Sequence, residues 1–158
     1  MKHPEVILVF GRICSGKSSF QARAHRLIVS DIVRELINSN DRAQLQNTQH
    51  LDQDIAKEIV QWVENHQYLM SHDLLPIRNL VVDGIRQSSI VEYVLERLPD
   101  ASMVWLDVPE ETRRRRYETR NAEKDTESFD VADNRPIELE CQKIFSIFKD
   151  QMDIVYNG

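Results

Sequence analysis

The residues richest in chemistry are "GRICSGKSS", Gly11 to Ser19, directly behind the apolar run "VILVF". Their spacing, G-x-x-x-x-G-K-S, is a phosphate-binding loop pattern. Gly11 lets the chain turn out of a strand, and Gly16 lets backbone N–H groups approach phosphate oxygens closely. Lys17 brings a point charge to the β- and γ-phosphates, and Ser18 a hydroxyl for Mg²⁺. Cys14, Ser15 and Ser19 complete the cradle, Cys14 as a small filler. A short helix expected over "SSFQARAH" adds a dipole that favours anions.

Two carboxylates stand at the ends of apolar runs: Asp83 in "LVVDG" and Asp107 in "VWLDV". Asp83, followed by Gly84 and Arg86, is the candidate that orients Mg²⁺ or its waters. Asp107 precedes Val108-Pro109 and reads as a structural cap or turn residue. In "SDIVR", Asp31 sits at an expected strand terminus, where capping is its simplest role. Arg34, one helical turn on, can face a second anion. Four consecutive arginines, Arg113–Arg116, open a helix on which Arg113, Arg116 and Arg120 share one face. That face is solvated, a nucleic-acid patch, or in contact with anions through Arg116 and Arg120. The five histidines are scattered among polar neighbours and read as surface residues.

These groups need a scaffold, and the hydrophobic pattern supplies one. Strands are expected at "EVILVF" (Glu5–Phe10), "RLIVSD" (Arg26–Asp31), "RNLVVDG", "ASMVWLDVP" and "DIVYNG". Helices are expected at "IVRELINSN", at "HLDQDIAKEIVQWVENH" with Leu51, Ile55, Ile59 and Val63 at i+4 spacing, and at "SSIVEYVLERL" with a serine cap. Two more follow at "EETRRRRYETR" and "IELECQKIFSIFKDQM", the latter with Ile137, Cys141, Ile144 and Phe148 on one side. "NAEKDTESFDVADNRP" has no apolar period and reads as a mobile loop. Strand–helix alternation predicts a parallel sheet of about five strands between helices, with ligands at the strands' carboxyl ends. Residues 35–78 are too long for a simple crossover and predict a helical lobe over the site.

A length of 158 residues fits one compact domain. The net charge of −6 argues against an indiscriminate nucleic-acid binder, while 20 Lys and Arg allow local cationic sites. Two cysteines without metal-ligand spacing suggest a reducing compartment. No apolar stretch reaches membrane length, and Met1–Phe10 lacks the form of a signal peptide. A cytoplasmic protein with no membrane partner and no stable nucleic-acid partner is expected, as monomer or homodimer.

Together the chain resembles the P-loop kinases of the nucleoside monophosphate kinase group, relatives of adenylate kinase. "GRICSGKS" is similar to the group's phosphate loop, "SDIVR" to its D-x-x-R, "VVDGIR" to its D-G-x-x-R element, and "DVPEETRRRRYETR" to its lid base. "DGIR" is closer to the dephospho-coenzyme A kinase-like relatives. The resemblance implies a P-loop NTPase fold of three α/β/α layers, with an acceptor-binding lobe at 35–78 and a short lid at 117–136. It implies ATP and Mg²⁺, with Asp31, Arg34 and Arg86 on the acceptor. Lys17, Arg116, Arg120 and Arg135 would serve the transferring phosphoryl group. The implied activity passes the γ-phosphoryl group to a (deoxy)nucleoside monophosphate. A hydroxyl acceptor such as dephospho-coenzyme A, with Asp31 as base, is the alternative, and a nucleotide-binding regulator or slow NTPase the second.

Overall fold

In the computed structural model, which describes residues 4–38, 49–120 and 127–157, five strands form one fully parallel sheet. They are β1 (Val6–Phe10), β2 (His25–Ile28), β3 (Leu80–Asp83), β4 (Ser102–Asp107) and β5 (Met152–Tyr156), in the order β2-β3-β1-β4-β5. β1 is central and buried throughout, as a near-continuous apolar run must be when both sheet faces are covered. Register aligns the carboxyl ends: Val9 and Ile28 both oppose Asp83, and Phe10 opposes Trp105. The loop after β1 and the Asp83 carboxylate therefore emerge along the same sheet edge. This is a three-layer α/β/α P-loop NTPase fold.

The helices are α1 (Val29–Ile37), α2 (Asp52–Ser71), α3 (Ser88–Arg97), α4 (Glu110–Thr119), α5 (Phe129–Asp133) and α6 (Pro136–Phe148). Ile55, Ile59 and Val63 of α2 pack with Ile90, Val91 and Val94 of α3 in the principal core, beneath Leu8 and Phe10. Cys141, Ile144 and Phe148 of α6 join the same cluster, as the i, i+3, i+7 spacing requires. The opposite sheet face holds a smaller cluster, Ile7, Val9, Val81, Val104 and Leu106, against which Phe20 and Ala24 pack. Among the described residues no helix is long and apolar enough to cross a membrane.

Several expectations need correction. "SSFQARAH" forms only one 3₁₀ turn, Lys17–Ser19, followed by turns with Gln21 at φ +47°. The reason is visible in Arg26, whose guanidinium donates to the carbonyls of Lys17 and Phe20, the acceptors a continuing helix would use. β2 ends at Ile28, so Val29–Asp31 are the first helical turn rather than strand. Ile28 occupies the N-cap of α1 and Gln87 that of α3, neither with a side-chain cap bond, so Asp31 and the serines do not cap. "NAEKDTESFDVADNRP" contains α5, closed by the Ser128 hydroxyl accepting from the Val131 N–H, with Phe129 and Ala132 in a small core against Tyr117. His25 and His66 are half-buried, their rings tilted against each other at 5.7 Å, with His25 hydrogen-bonded to the Pro76 carbonyl. Residues 39–48 of the expected lobe and 121–126 of the expected lid lie outside the described residues.

Candidate active site

The phosphate loop is held from beneath by side chains that occupy its carbonyls. Lys17 Nζ donates to the carbonyls of Gly11 (2.7 Å) and Arg12 (3.1 Å). Arg116 donates to Cys14 O (3.1 Å) and Asn157 O (2.8 Å), and Asn157 Nδ2 to Ser15 O (2.9 Å). The Asn157 N–H in turn bonds Asp107 O at 3.1 Å, fixing β5 to β4 at this edge. Among the described residues the amides of Gly16, Lys17 and Ser18 donate to no backbone carbonyl outside regular elements, which leaves them available to an anion.

Two glycines make the approach possible. Gly16 has φ +94°, and a Cβ there would stand 2.4 Å from Asn157 Nδ2. At Gly11 a Cβ would meet Ser15 Oγ at 2.2 Å. Lys17 is withdrawn from water, which lowers its pKa to about 8, and the charge of Arg86 acts the same way.

The arginine run divides by neighbour rather than acting as one face. Arg113 is buried and donates to both oxygens of Asp133 (2.6 and 3.4 Å), and Arg12 pairs with the same carboxylate at 3.1 Å. Arg114 pairs with exposed Asp130, whose hydrogen bonds raise the arginine's pKa and lower the carboxylate's. Arg116 clamps the loop. Arg120 donates to Cys14 Sγ (3.4 Å) and lies over the Tyr117 ring. Arg113, Arg116 and Arg120 all reach the loop, at Ile13 O (3.4 Å), Cys14 O and Cys14 Sγ, and Arg113 does so from a buried position anchored on Asp133.

Beside the loop opens a cavity of about 260 Å³. Arg34, Arg86, Arg120 and Arg135 line it, together with Asp52, Asp83 and Glu138. Val33, Ile55 and Ile90 supply an apolar wall. Three of the arginines already face carboxylates: Arg34 with Asp31 at 2.7 Å, Arg86 with Glu138, and Arg135 with Glu127 at 2.9 Å. Asp31 does not line the cavity and its side chain is 60% exposed. Asp83 is buried, its pKa raised by desolvation against the opposing charges of Lys17, Arg26 and Arg86. Burial also raises the pKa of Asp52, which accepts from Ser89 Oγ at 2.9 Å.

Ser18 and Asp83 provide the hard oxygen donors that suit Mg²⁺, an ion content with one or two protein ligands alongside phosphate and water oxygens. No cluster of three or more His, Cys, Asp or Glu able to hold a metal occurs among the described residues, so the protein donors alone would not make a closed metal cage. Asn157, Glu138 and Asp52 were not singled out from the sequence. Glu138 follows Pro136 in an ordinary first helical turn, and Asn157 trails a short strand, so neither carries a local signal.

The family model described as AAA domain matches residues 7–139. The chain belongs to this AAA domain family of P-loop NTPases. Within the fold of this AAA domain protein, similar solved structures are kinases by name. A shikimate kinase from Bacteroides thetaiotaomicron is 12% identical, with 97% of this chain and 86% of that one covered at TM-score 0.53. A gluconokinase from Sinorhizobium meliloti 1021 is 13% identical, with 100% and 85% covered at TM-score 0.50. No curated protein matches the AAA domain chain by sequence. At these identities the likeness is one of fold, a P-loop kinase-like fold.

Proposed function

We propose that the protein is an ATP-dependent kinase that transfers the γ-phosphoryl group to a hydroxyl of a small metabolite. The observation that carries this reading is the pairing of Arg34, Arg86 and Arg135 with carboxylates around one cavity. A phosphate dianion is best held by cations with unopposed charge, whereas a hydroxyl acceptor asks for a mixed, nearly neutral wall. The kinase names of the fold neighbours, shikimate kinase and gluconokinase, point the same way.

In this reading the loop amides and Lys17 cradle the β- and γ-phosphates, and Arg120, beside Cys14, faces the transferring group. Arg116 acts by holding the loop in shape. Arg135 lies across the same cavity and closes on the phosphoryl oxygens. Ser18 would hold Mg²⁺ directly and Asp83 through water, and the ion would supply neutralisation of the phosphates' negative charge. The acceptor oxygen bonds to the γ-phosphorus as the bond to the β–γ bridging oxygen breaks. Its proton passes to Asp83, the buried strand-end carboxylate on the cavity wall, rather than to the exposed Asp31.

A nucleoside monophosphate acceptor is the second reading, favoured by four arginines converging on one cavity. An acceptor panel with ATP and Mg²⁺, followed by Asp83→Asn and Asp31→Asn, separates the two. A hydroxyl acceptor requires Asp83→Asn to cut kcat by about 10²–10⁴-fold while Asp31→Asn changes it little. Activity with nucleoside monophosphates alone, insensitive to Asp83→Asn, would sink the hydroxyl reading.

A further inference from the structure

Two carboxylate oxygens on the cavity wall have no hydrogen-bond partner among the described residues. Glu138, in the first turn of α6, has a side chain only 4% exposed. Its Oε2 is taken by Arg86, and its Oε1 is buried and unpartnered. Asp52, the first residue of α2, gives Oδ2 to Ser89 and leaves Oδ1 equally buried and unpartnered. A carboxylate only accepts hydrogen bonds, and a buried oxygen without a donor is costly, so both positions call for O–H or N–H groups from a bound molecule. Neither oxygen takes part in the phosphoryl-transfer roles assigned above.

The surroundings restrict what that molecule is. The cavity, about 260 Å³, lies at the small end of ligand sites. Val33, Ile55 and Ile90 offer an apolar surface to C–H groups between the polar ones. Three of the wall's arginines spend their charge on Asp31, Glu138 and Glu127, which leaves little pull for an acidic ligand.

We infer that Glu138 and Asp52 set acceptor specificity, each taking a hydrogen bond from a hydroxyl of a neutral polyol whose further hydroxyl is phosphorylated. The inference rests on the hydroxyl-kinase reading. It narrows the acceptor to a molecule with at least three hydroxyls and no acid group: one on each carboxylate oxygen and one at the γ-phosphorus. The second-row roles differ in kind. Glu138 also orients Arg86, whereas Asp52 is fixed only through Ser89 and α2, so the Asp52 contact is the cleaner test.

The test offers ATP and Mg²⁺ with D-glucose, ribitol and myo-inositol, with gluconate and shikimate, and with the common nucleoside monophosphates. Phosphorus NMR identifies any ester formed. A neutral polyol should be phosphorylated in preference to the acids. Asp52→Asn and Glu138→Gln should then each raise its KM about 10- to 100-fold, with KM for ATP unchanged. The deoxy analogue missing the contacted hydroxyl should lose as much with the wild type and nothing further with the matching variant, a coupling that a merely structural role would not produce. If Glu138→Gln fails to fold, the Asp52→Asn and deoxy-analogue arm decides alone. Phosphorylation of gluconate or shikimate in preference to every neutral polyol, or an unchanged KM in Asp52→Asn, would overturn the inference and leave the hydroxyl kinase standing. Turnover of nucleoside monophosphates alone, or of nothing offered, would overturn both.

Discussion

In the proposed kinase reading, the donor side and the acceptor side of this site are built on opposite principles. On the donor side, one contiguous loop carries nearly all the proposed binding groups, and outside residues (Arg113, Arg116, Asn157) hold its carbonyls. On the acceptor side, Arg34, Asp52, Asp83, Arg86, Arg135 and Glu138 come from four separate stretches, and all but Asp52 face an opposite charge. A contiguous loop suits an invariant group, here the proposed polyphosphate, because backbone amides held by two glycines do most of the binding. A cavity assembled from side chains can be retuned one residue at a time, which suits the part of the reaction that differs between kinases.

The largest test of this contrast is Lys17→Ala. Loss of a cation at the transferring phosphoryl group should cut kcat by about 10³–10⁵-fold with the circular dichroism spectrum retained. Near-normal turnover would remove the loop from the donor role. Next is Asp133→Ala, which strips the shared partner from Arg12 and Arg113. Uncompensated buried charge should cost about 3–5 kcal/mol in chemical denaturation. Loss of less than 1 kcal/mol would mean that this node is incidental to the loop's support.

Gly16→Ala forces a side chain into a left-handed backbone and onto Asn157. About 1–3 kcal/mol of strain is expected, read as weaker ATP-analogue binding, with Asn157→Ala relieving the contact but not the backbone part. Full rescue by Asn157→Ala would show that the contact alone matters.

A pH series sharpens the donor side further. The free Lys17 ammonium titrates at about 8, and bound phosphate favours its charged form, raising that pKa in the complex. Affinity for an ATP analogue, measured without added metal, should be level below pH 8 and fall above it, by up to tenfold per unit. A level profile to pH 9.5 would place Lys17 outside the phosphate contacts. The smallest effect belongs to Arg114→Ala, which breaks an exposed pair with Asp130 and should leave both melting and turnover unchanged within error.

The same contrast decides what the sequence could disclose. The loop was legible because its spacing encodes its geometry: Gly11, Gly16, Lys17 and Ser18 do their work locally. The sheet was legible too, since "VILVF", "LVVD" and "MVWL" are buried strands written as apolar runs. The acceptor wall was legible only as separate charges. Nothing local in Glu138 or Asp52 says that helices α6 and α2 present them to one cavity. Arg113 and Arg116 look alike in "RRRR" and both donate to loop carbonyls, yet only Arg113 is buried and paired with Asp133, a difference set by what packs against α4. The missing loop helix was misread because Arg26, nine residues beyond Lys17, takes the carbonyls that helix would need.

The strand order carries a consequence for how the chain comes to be folded. β1 is the first strand to leave the ribosome, but both its neighbours, β3 and β4, are made more than 60 residues later. Until then "VILVF" has no hydrogen-bonding partners at its edges, although α1 and α2, which pack in the same core, are already made. Every pairing in the sheet is non-local, the kind of topology that folds slowly and passes through sticky states. The central strand of the sheet thus waits longest for its partners during synthesis.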